Sequence, residues 1–348
     1  MWKQSIIRKE PRIDAASFLG VESDRYYGGD IVTKVLVVGG AGYIGGAVTE
    51  LLTAARVPFT VYDSLIYEPH YLKKLDFVRG DVRDTEKFKA LLASYTHVIW
   101  LAAIVGDGAC EVNPELTVEV NQQAVQWLAE NYHGRIVFTS TCSVYGQFDA
   151  EVGEESPVQP LSLYARTKLA AESFLQRENN LIFRLGTAFG VSDTYSRPRM
   201  DLVVNYMTSN ALTKGELSVF GGTQWRPLVH VKDIAQAIVH NMERPVRGVY
   251  NLAAQNLQIK DLAAIVSEMT GCKVNHTEQT FQDQRNYHVS TKKALRDEIF
   301  NPNTMRTVQD GVREIAELVG LGRIKQTEND VYFNVRHAEK LKAHGQFA

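Results

Sequence analysis

Few cysteines, no long apolar run and no excess of one charge sign set the first limits on this chain. Its three cysteines, Cys110, Cys142 and Cys272, have neither the number nor the spacing of a disulfide framework or a zinc site, and they read as thiols of a reducing compartment. No stretch approaches the roughly 20 apolar residues that cross a bilayer. The opening MWKQSIIRKEPRIDAASFLG has a basic start but lacks an apolar core of signal-peptide length. The formal net charge is -2 with lysines and arginines scattered along the chain, so nothing favours nucleic acid or an anionic membrane surface as a partner. These absences lead to the expectation of a soluble, cytoplasmic protein without a metal site. At 348 residues it is long enough to bury a substantial core in one large or two moderate domains.

What is present is regular alternation. KVLVVGG, FTVYD, LDFVRG, HVIWLAA, GRIVFTST and LIFRLG carry strand signals. Helical segments stand between them, at YIGGAVTELLTAARV, TEKFKALLAS, PELTVEVNQQAVQWLAENY and SLYARTKLAAESFLQR. Parallel neighbours need a crossover helix, so this order predicts an α/β fold with a doubly wound parallel sheet of Rossmann type. Near residue 190 the alternation gives way to MDLVVNYMTSNALTK, LSVFG, IKDLAAIVSEM and TVQDGVREIAEL, the material of a smaller, mainly carboxyl-terminal α/β lobe. The expected boundaries are an extension over 1–33, a nucleotide-binding domain over 34–190, a substrate lobe over 191–325 and a tail over 326–348. HVKDIAQAIVHNM and GVYNLAA, near 228–252, are expected to return to the first domain. The extension carries Tyr26 and Tyr27 and reads as an arm or strap; the tail reads as a short strand before a terminal helix or docking segment.

Gly39, Gly42 and Gly45 fall in G-x-x-G-x-x-G spacing between the first strand and helix. Absent side chains let such a turn approach a pyrophosphate, while the helix amino end offers unpaired N–H groups to its oxygens. Asp63 ends the FTVYD strand 18 residues beyond Gly45, where a carboxylate can accept from both ribose hydroxyls of adenosine. Its charge repels an extra phosphate and VYDSLIYEPH supplies no adjacent basic residue, so NAD is expected over NADP. Asp81 and Val82, in RGDVRD, suit contacts to adenine or simply start the next helix.

Tyr164 and Lys168, in LSLYARTK, lie four positions apart. On a helix they share a face, which lets an ammonium favour the ionised phenol. A tyrosine so placed can take a proton from a sugar hydroxyl.

Taken together, GGAGYIGG, GDVRD, LAAIVG, STCSVYG, YARTK and RPLVHVKDIA resemble the extended short-chain dehydrogenase/reductase family, in its nucleotide-sugar epimerase and dehydratase branch. The resemblance covers about residues 34 to 320. It implies NAD in the first domain, a nucleoside-diphosphate sugar in the smaller lobe and a homodimer built through the helix that bears the tyrosine. It also implies Tyr164 as general acid/base, Lys168 on the nicotinamide ribose and lowering the phenol pKa, and Thr141 orienting the reacting oxygen. Tyr43, Ile44, Leu101, Ala102 and Ala103 are expected beside the cofactor, with Asn121 shaping the backbone there. Arg226 and Arg285 resemble the paired arginines that hold the diphosphate, a role suited to their planar donors. Arg199 and Asn205 in SRPRMDLVVN, and Val105, Gly106 and Asp107, are expected around the sugar.

Cys142 and Ser143 stand where the 4,6-dehydratases of the family carry Asp-Glu, so elimination of water is disfavoured. A buried structural Cys142 is the simpler reading of that thiol. The expected activity is an NAD-dependent oxidoreduction at carbon 4 of a nucleotide sugar, foremost a 4-epimerase working through a 4-keto intermediate. A net 4-dehydrogenase or 4-ketoreductase is the alternative, followed by a non-catalytic sugar-nucleotide binder.

Overall fold

The structure, a computed structural model, describes residues 33–176, 179–277 and 285–347. The arm expected over 1–33, with Tyr26 and Tyr27, therefore lies outside the described residues apart from Thr33.

Seven strands form the central sheet: β1 (Val35–Val38), β2 (Phe59–Asp63), β3 (Phe77–Arg79), β4 (His97–Trp100), β5 (Arg135–Thr141), β7 (Leu181–Leu185) and β11 (Gly248–Leu252). Their order is β11-β7-β5-β4-β1-β2-β3, with every pairing parallel. Strands buried on both faces read as continuous apolar runs, and all four residues of β1 are inaccessible to solvent. On one face α1 (Tyr43–Ala54) and α8 (Val231–Asn241) pack Ala47, Val48 and Leu52 with Ile234, Ala235 and Ile238. On the other, α2 (Thr85–Leu92), α5 (Ala124–Asn131) and α6 (Leu163–Phe174) contribute Phe88, Val125, Leu128 and Ala171. Between the chain positions of β4 and α5 lie the short α3 (Asp107–Val112) and α4 (Pro114–Val118). β11 thus joins the central sheet and α8 packs with α1, although both follow β8 in sequence.

That second lobe has its own sheet pieces and core. β8 (Thr187–Phe189), β10 (Trp225–His230) and β12 (Gln255–Gln258) form a three-stranded sheet. β9 (Glu216–Phe220) pairs in parallel with β13 (Lys273–Thr277). Behind them α7 (Val203–Lys214), α9 (Ile259–Thr270) and α11 (Val308–Gly320) enclose Val204, Leu217, Val219, Leu262, Val266 and Val312. α10 (Lys292–Arg296) carries the chain from the lobe back toward β11. β6 (Gln147–Val152), from the first half of the chain, pairs with β14 (Asn286–Val289), so the two lobes share a strand ladder beside the site.

Two local expectations are corrected. The segment 114–131 is not one uninterrupted α-helix, because a π-helical turn over Glu119–Gln123 separates α4 from α5. Such turns shift the face that a helix presents, and this one turns Asn121 into the interior. In the tail, the expected strand is a 3-10 turn over Asp330–Tyr332, capped by the Asn329 side chain accepting from Val331 N–H. Helix α12 (Asn334–Ala343) follows and docks on α3 of the same chain. No helix among the described residues is long and apolar enough to cross a membrane.

Candidate active site

A cavity of about 750 Å³ opens at the carboxyl ends of β1, β2, β4 and β5 and continues to β10 and β14 of the second lobe. This is where a doubly wound sheet leaves a crevice for ligands. The glycine turn, Asp63, Ala102, Thr141, Tyr164 and Arg226 all line it.

At the β1 end the turn is shaped by close approach. Gly39 has φ of +82°, and a Cβ there would fall 2.5 Å from Ala102 N. A Cβ on Gly45 would fall 2.5 Å from Gly40 O, which lets α1 begin hard against the turn. α1 starts at Gly42 with no side-chain cap, so its first N–H groups face the cavity end without a competing oxygen. Tyr43 and Ile44 line the same end, although the Tyr43 hydroxyl is committed to Gly190 O at 2.7 Å. The Asp63 carboxylate accepts from Ala41 N–H at 3.0 Å and Leu65 N–H at 2.8 Å. Burial raises its pKa against the lowering effect of those two donors. An uncapped helix start, a bare glycine turn and a buried carboxylate at the end of β2 fit a dinucleotide, with pyrophosphate at the first and ribose at the last. Asp81, Val82, Leu101, Ala102 and Ala103 complete that wall. Asp81 is itself gripped by Arg83, whose Nη2 lies 2.8 Å from Oδ2. Arg83 also lines the cavity, 20 positions after Asp63, and its distance in sequence hid it from a search for a basic neighbour.

Farther along, Ser162 caps α6 by accepting from Ala165 N–H, which starts the helix that carries Tyr164 and Lys168. The Thr141 hydroxyl, at the end of β5, lines the cavity with the Tyr164 phenol and accepts from Ser143 N–H at 3.1 Å. Burial raises the phenol above its ordinary pKa, with Asp107 acting in the same direction and Arg199 and Thr141 opposing it. Lys168 is 2% exposed, its Nζ lies 4.2 Å from the Phe138 ring centroid, and burial lowers its pKa to about 7. Arg199 is a cation that lowers the Tyr164 pKa, whereas Lys168 is not among the residues that line the cavity.

Arg199 is paired with Asp201, with Nε to Oδ1 at 2.6 Å and Nη2 to Oδ2 at 2.9 Å. Both line the cavity. Burial opposes the Arg199 charge, but Asp201, with Tyr43 and Tyr67, outweighs it and raises the pKa. Arg226 and Arg285 line the cavity together, joined by Arg226 Nη1 donating to Arg285 O at 2.6 Å. Arg285 also pairs with Asp107 at 3.1 Å. Val105 and Gly106 line the wall beside Asp107. Asn205 does not join this group. It is fully buried, accepts from Gly190 N–H at 2.9 Å and donates to the carbonyls of Gly190 and Arg199. Its expected sugar contact is corrected to a backbone clamp, because α7 turns that residue inward. Asn121 likewise stands behind the wall, accepting from Ile104 N–H at 2.8 Å and donating to its carbonyl at 2.9 Å.

Cys142 is buried, donates to Arg184 O at 3.2 Å and has its pKa raised by burial, which leaves it an unreactive thiol. Ser143 does line the cavity and shares a 3.2 Å hydrogen bond with the Tyr287 hydroxyl. Tyr67, Asp201, Tyr287, Asn334 and Val335 also line the site without having been singled out in the sequence. No short-range spacing marks them, since Asp201 and Asn334 are 133 positions apart.

This chain is 26% identical over 258 residues to the N-acetyl-alpha-D-glucosaminyl-diphospho-ditrans,octacis-undecaprenol 4-epimerase of Escherichia coli O157:H7, across 69% of this chain and 73% of that enzyme. It is 28% identical to UDP-glucuronic acid decarboxylase 4 of Arabidopsis thaliana, across 75% of this chain but 63% of the plant enzyme's length. The solved structure of an NAD-dependent NDP-hexosamine 5,6-dehydratase of tunicamycin biosynthesis superposes with a TM-score of 0.72 at 25% identity, covering 83% of this chain and 98% of that one. These proteins are named for different reactions: a 4-epimerase, a decarboxylase and a 5,6-dehydratase. The sequence pattern of the NAD dependent epimerase/dehydratase family matches residues 35–253, which contain the glycine turn, Asp63, Thr141, Tyr164 and Lys168, and the chain belongs to that family.

Proposed function

We propose that this protein is a nucleotide-sugar 4-epimerase that retains and recycles NAD. The observation that carries the reading is that the Thr141 and Tyr164 hydroxyls line the cavity together, Thr141 opposing the rise in the phenol pKa, with a thiol and a hydroxyl at 142 and 143. Two carboxylates of the cavity wall, Asp107 and Asp201, are each engaged by an arginine, which leaves neither as a free base for elimination. NAD, held by the glycine turn and Asp63, supplies a hydride acceptor and donor for the sugar carbon. Tyr164 removes the proton of the carbon-4 hydroxyl and returns it, while Thr141 fixes the direction in which the phenol points. Arg199 favours the deprotonated phenol through space. Arg226 and Arg285 offer paired donors to a diphosphate. A nucleoside-diphosphate sugar is thus the proposed substrate, and a homodimer the proposed assembly, checked by mass in solution.

The test is proton NMR of a panel of nucleoside-diphosphate hexoses incubated with purified protein and no added coenzyme. Interconversion of carbon-4 epimers without a growing NADH absorbance supports the proposal. Stoichiometric NADH would instead establish a net 4-dehydrogenase. Tyr164→Phe is expected to lose about 10²-fold to 10⁴-fold in kcat while keeping NAD; full turnover in that variant would remove Tyr164 from the reaction.

A further inference from the structure

The wall segment Ile104–Asp107 is tied down almost residue by residue. Asn121 holds both backbone groups of Ile104. Ser162 Oγ donates to Asp107 Oδ1 at 2.6 Å, and Arg285 pairs with the other carboxylate oxygen. Between these anchors Gly106 takes φ of +101° with nothing within 4 Å of where its Cβ would be, so the turn has no packing of its own there. Cys110 N–H donates to Gly106 O at 3.0 Å, and the Val105 carbonyl accepts from Asn334 Nδ2 at 2.9 Å.

Asn334 is 3% exposed and opens α12. Its Oδ1 accepts from Arg197 Nη2 at 2.7 Å, and its N–H donates to Asp201 Oδ2 at 3.0 Å. Asp201 in turn holds Arg199. The seat of α12 is set on its partner helix: a Cβ on Gly108 would fall 2.8 Å from Val335 Cγ2, and Asn113 Nδ2 donates to Phe347 O at 2.9 Å. Ala338 and Phe347 are buried against Ile104, Ala109 and Cys110. Asn334 and Val335 line the same cavity as Val105 and Tyr164.

We propose that Asn334 is a positioning residue for the sugar: it joins the Val105–Asp107 turn to Arg197 and the Arg199–Asp201 pair, so that the carboxyl-terminal helix closes the Tyr164 end of the active site. What occupies that end rests on the function proposed above; the tie to the turn does not. A neutral amide is required because one side chain must donate to a carbonyl and accept from a guanidinium at once. Aspartate satisfies Arg197 but sets a carboxylate against the Val105 carbonyl, and alanine satisfies neither.

The experiment compares NAD-loaded full-length protein, Asn334→Ala and Asn334→Asp by hydrogen exchange and by kinetics with UDP-glucose. Both variants are expected to exchange faster by about tenfold or more over 104–112, with little change over 35–63. In both, kcat falls by roughly 10-fold to 100-fold while KM changes much less, as expected of a misplaced sugar. Thermal stability is expected to recover in Asn334→Asp and not in Asn334→Ala. Unchanged exchange over 104–112, or recovery of both exchange and kcat by aspartate, would overturn the proposal and reduce Asn334 to a partner for Arg197. If Asn334→Ala does not fold, Asn334→Asp against the wild type decides. If the wild type does not turn over UDP-glucose, that sugar is not its substrate, and the exchange comparison decides on Asn334 by itself.

Discussion

Replacing Lys168 by methionine should stabilise the dinucleotide-free protein at pH 6 and do much less at pH 10. Lys168 is 2% exposed and its ammonium meets the face of Phe138, with burial lowering its pKa from 10.5 to about 7. A shift of that size corresponds to a penalty on the order of 5 kcal/mol for keeping the charge in the fold. Water penetration, relaxation and loss of the cation–π contact reduce the gain from removing it, so about 2 kcal/mol is expected at pH 6. The sign follows from proton counting. Between pH 7 and 10.5 the unfolded chain binds the proton and the folded chain does not, so stability rises with pH across that window. The penalty is complete below about pH 7 and vanishes as pH approaches 10.5. Methionine keeps the length of the side chain without the charge, so the advantage of Lys168→Met should shrink steadily over the same range. Urea unfolding of NAD-free protein at several pH values measures it. A Lys168→Met variant that is less stable than wild type by the same margin at pH 6 and pH 10 would refute the argument.

Two further outcomes follow from the cavity walls. Asp63→Ala removes the acceptor for Ala41 and Leu65 N–H and should weaken NAD binding by about 1.5 to 3 kcal/mol while relaxing discrimination against NADP, as read by titration with both dinucleotides. Unchanged preference would place the ribose elsewhere. Asp107→Asn removes the carboxylate that competes with a diphosphate for Arg285, and since both side chains are about one-third exposed the gain in UDP affinity should be modest, about 0.2 to 1 kcal/mol. Calorimetry showing weaker UDP binding would mean that the pair aligns Arg285 for the ligand.

The sequence by itself determined the parallel sheet, the dinucleotide turn and the tyrosine helix, because each rests on short-range physics. Apolar runs alternating with helical periods dictate β1 to β5, β7 and their crossovers. Glycines three apart are needed wherever backbone must approach backbone, as Gly39 and Gly45 do. Four positions on a helix bring Tyr164 and Lys168 to one side whatever surrounds them. Tertiary structure decided the electrostatics and the far wall. Burial, which no spacing reveals, lowers the Lys168 pKa where its Nζ lies over the Phe138 ring, and Arg199, distant in sequence, lowers that of Tyr164. The inward turn of α7 makes Asn205 a clamp on Gly190 and Arg199 instead of a ligand contact. Asn334 reaches Val105 across 229 positions, a contact that depends on how α12 packs against α3 and so leaves no periodic mark in the chain.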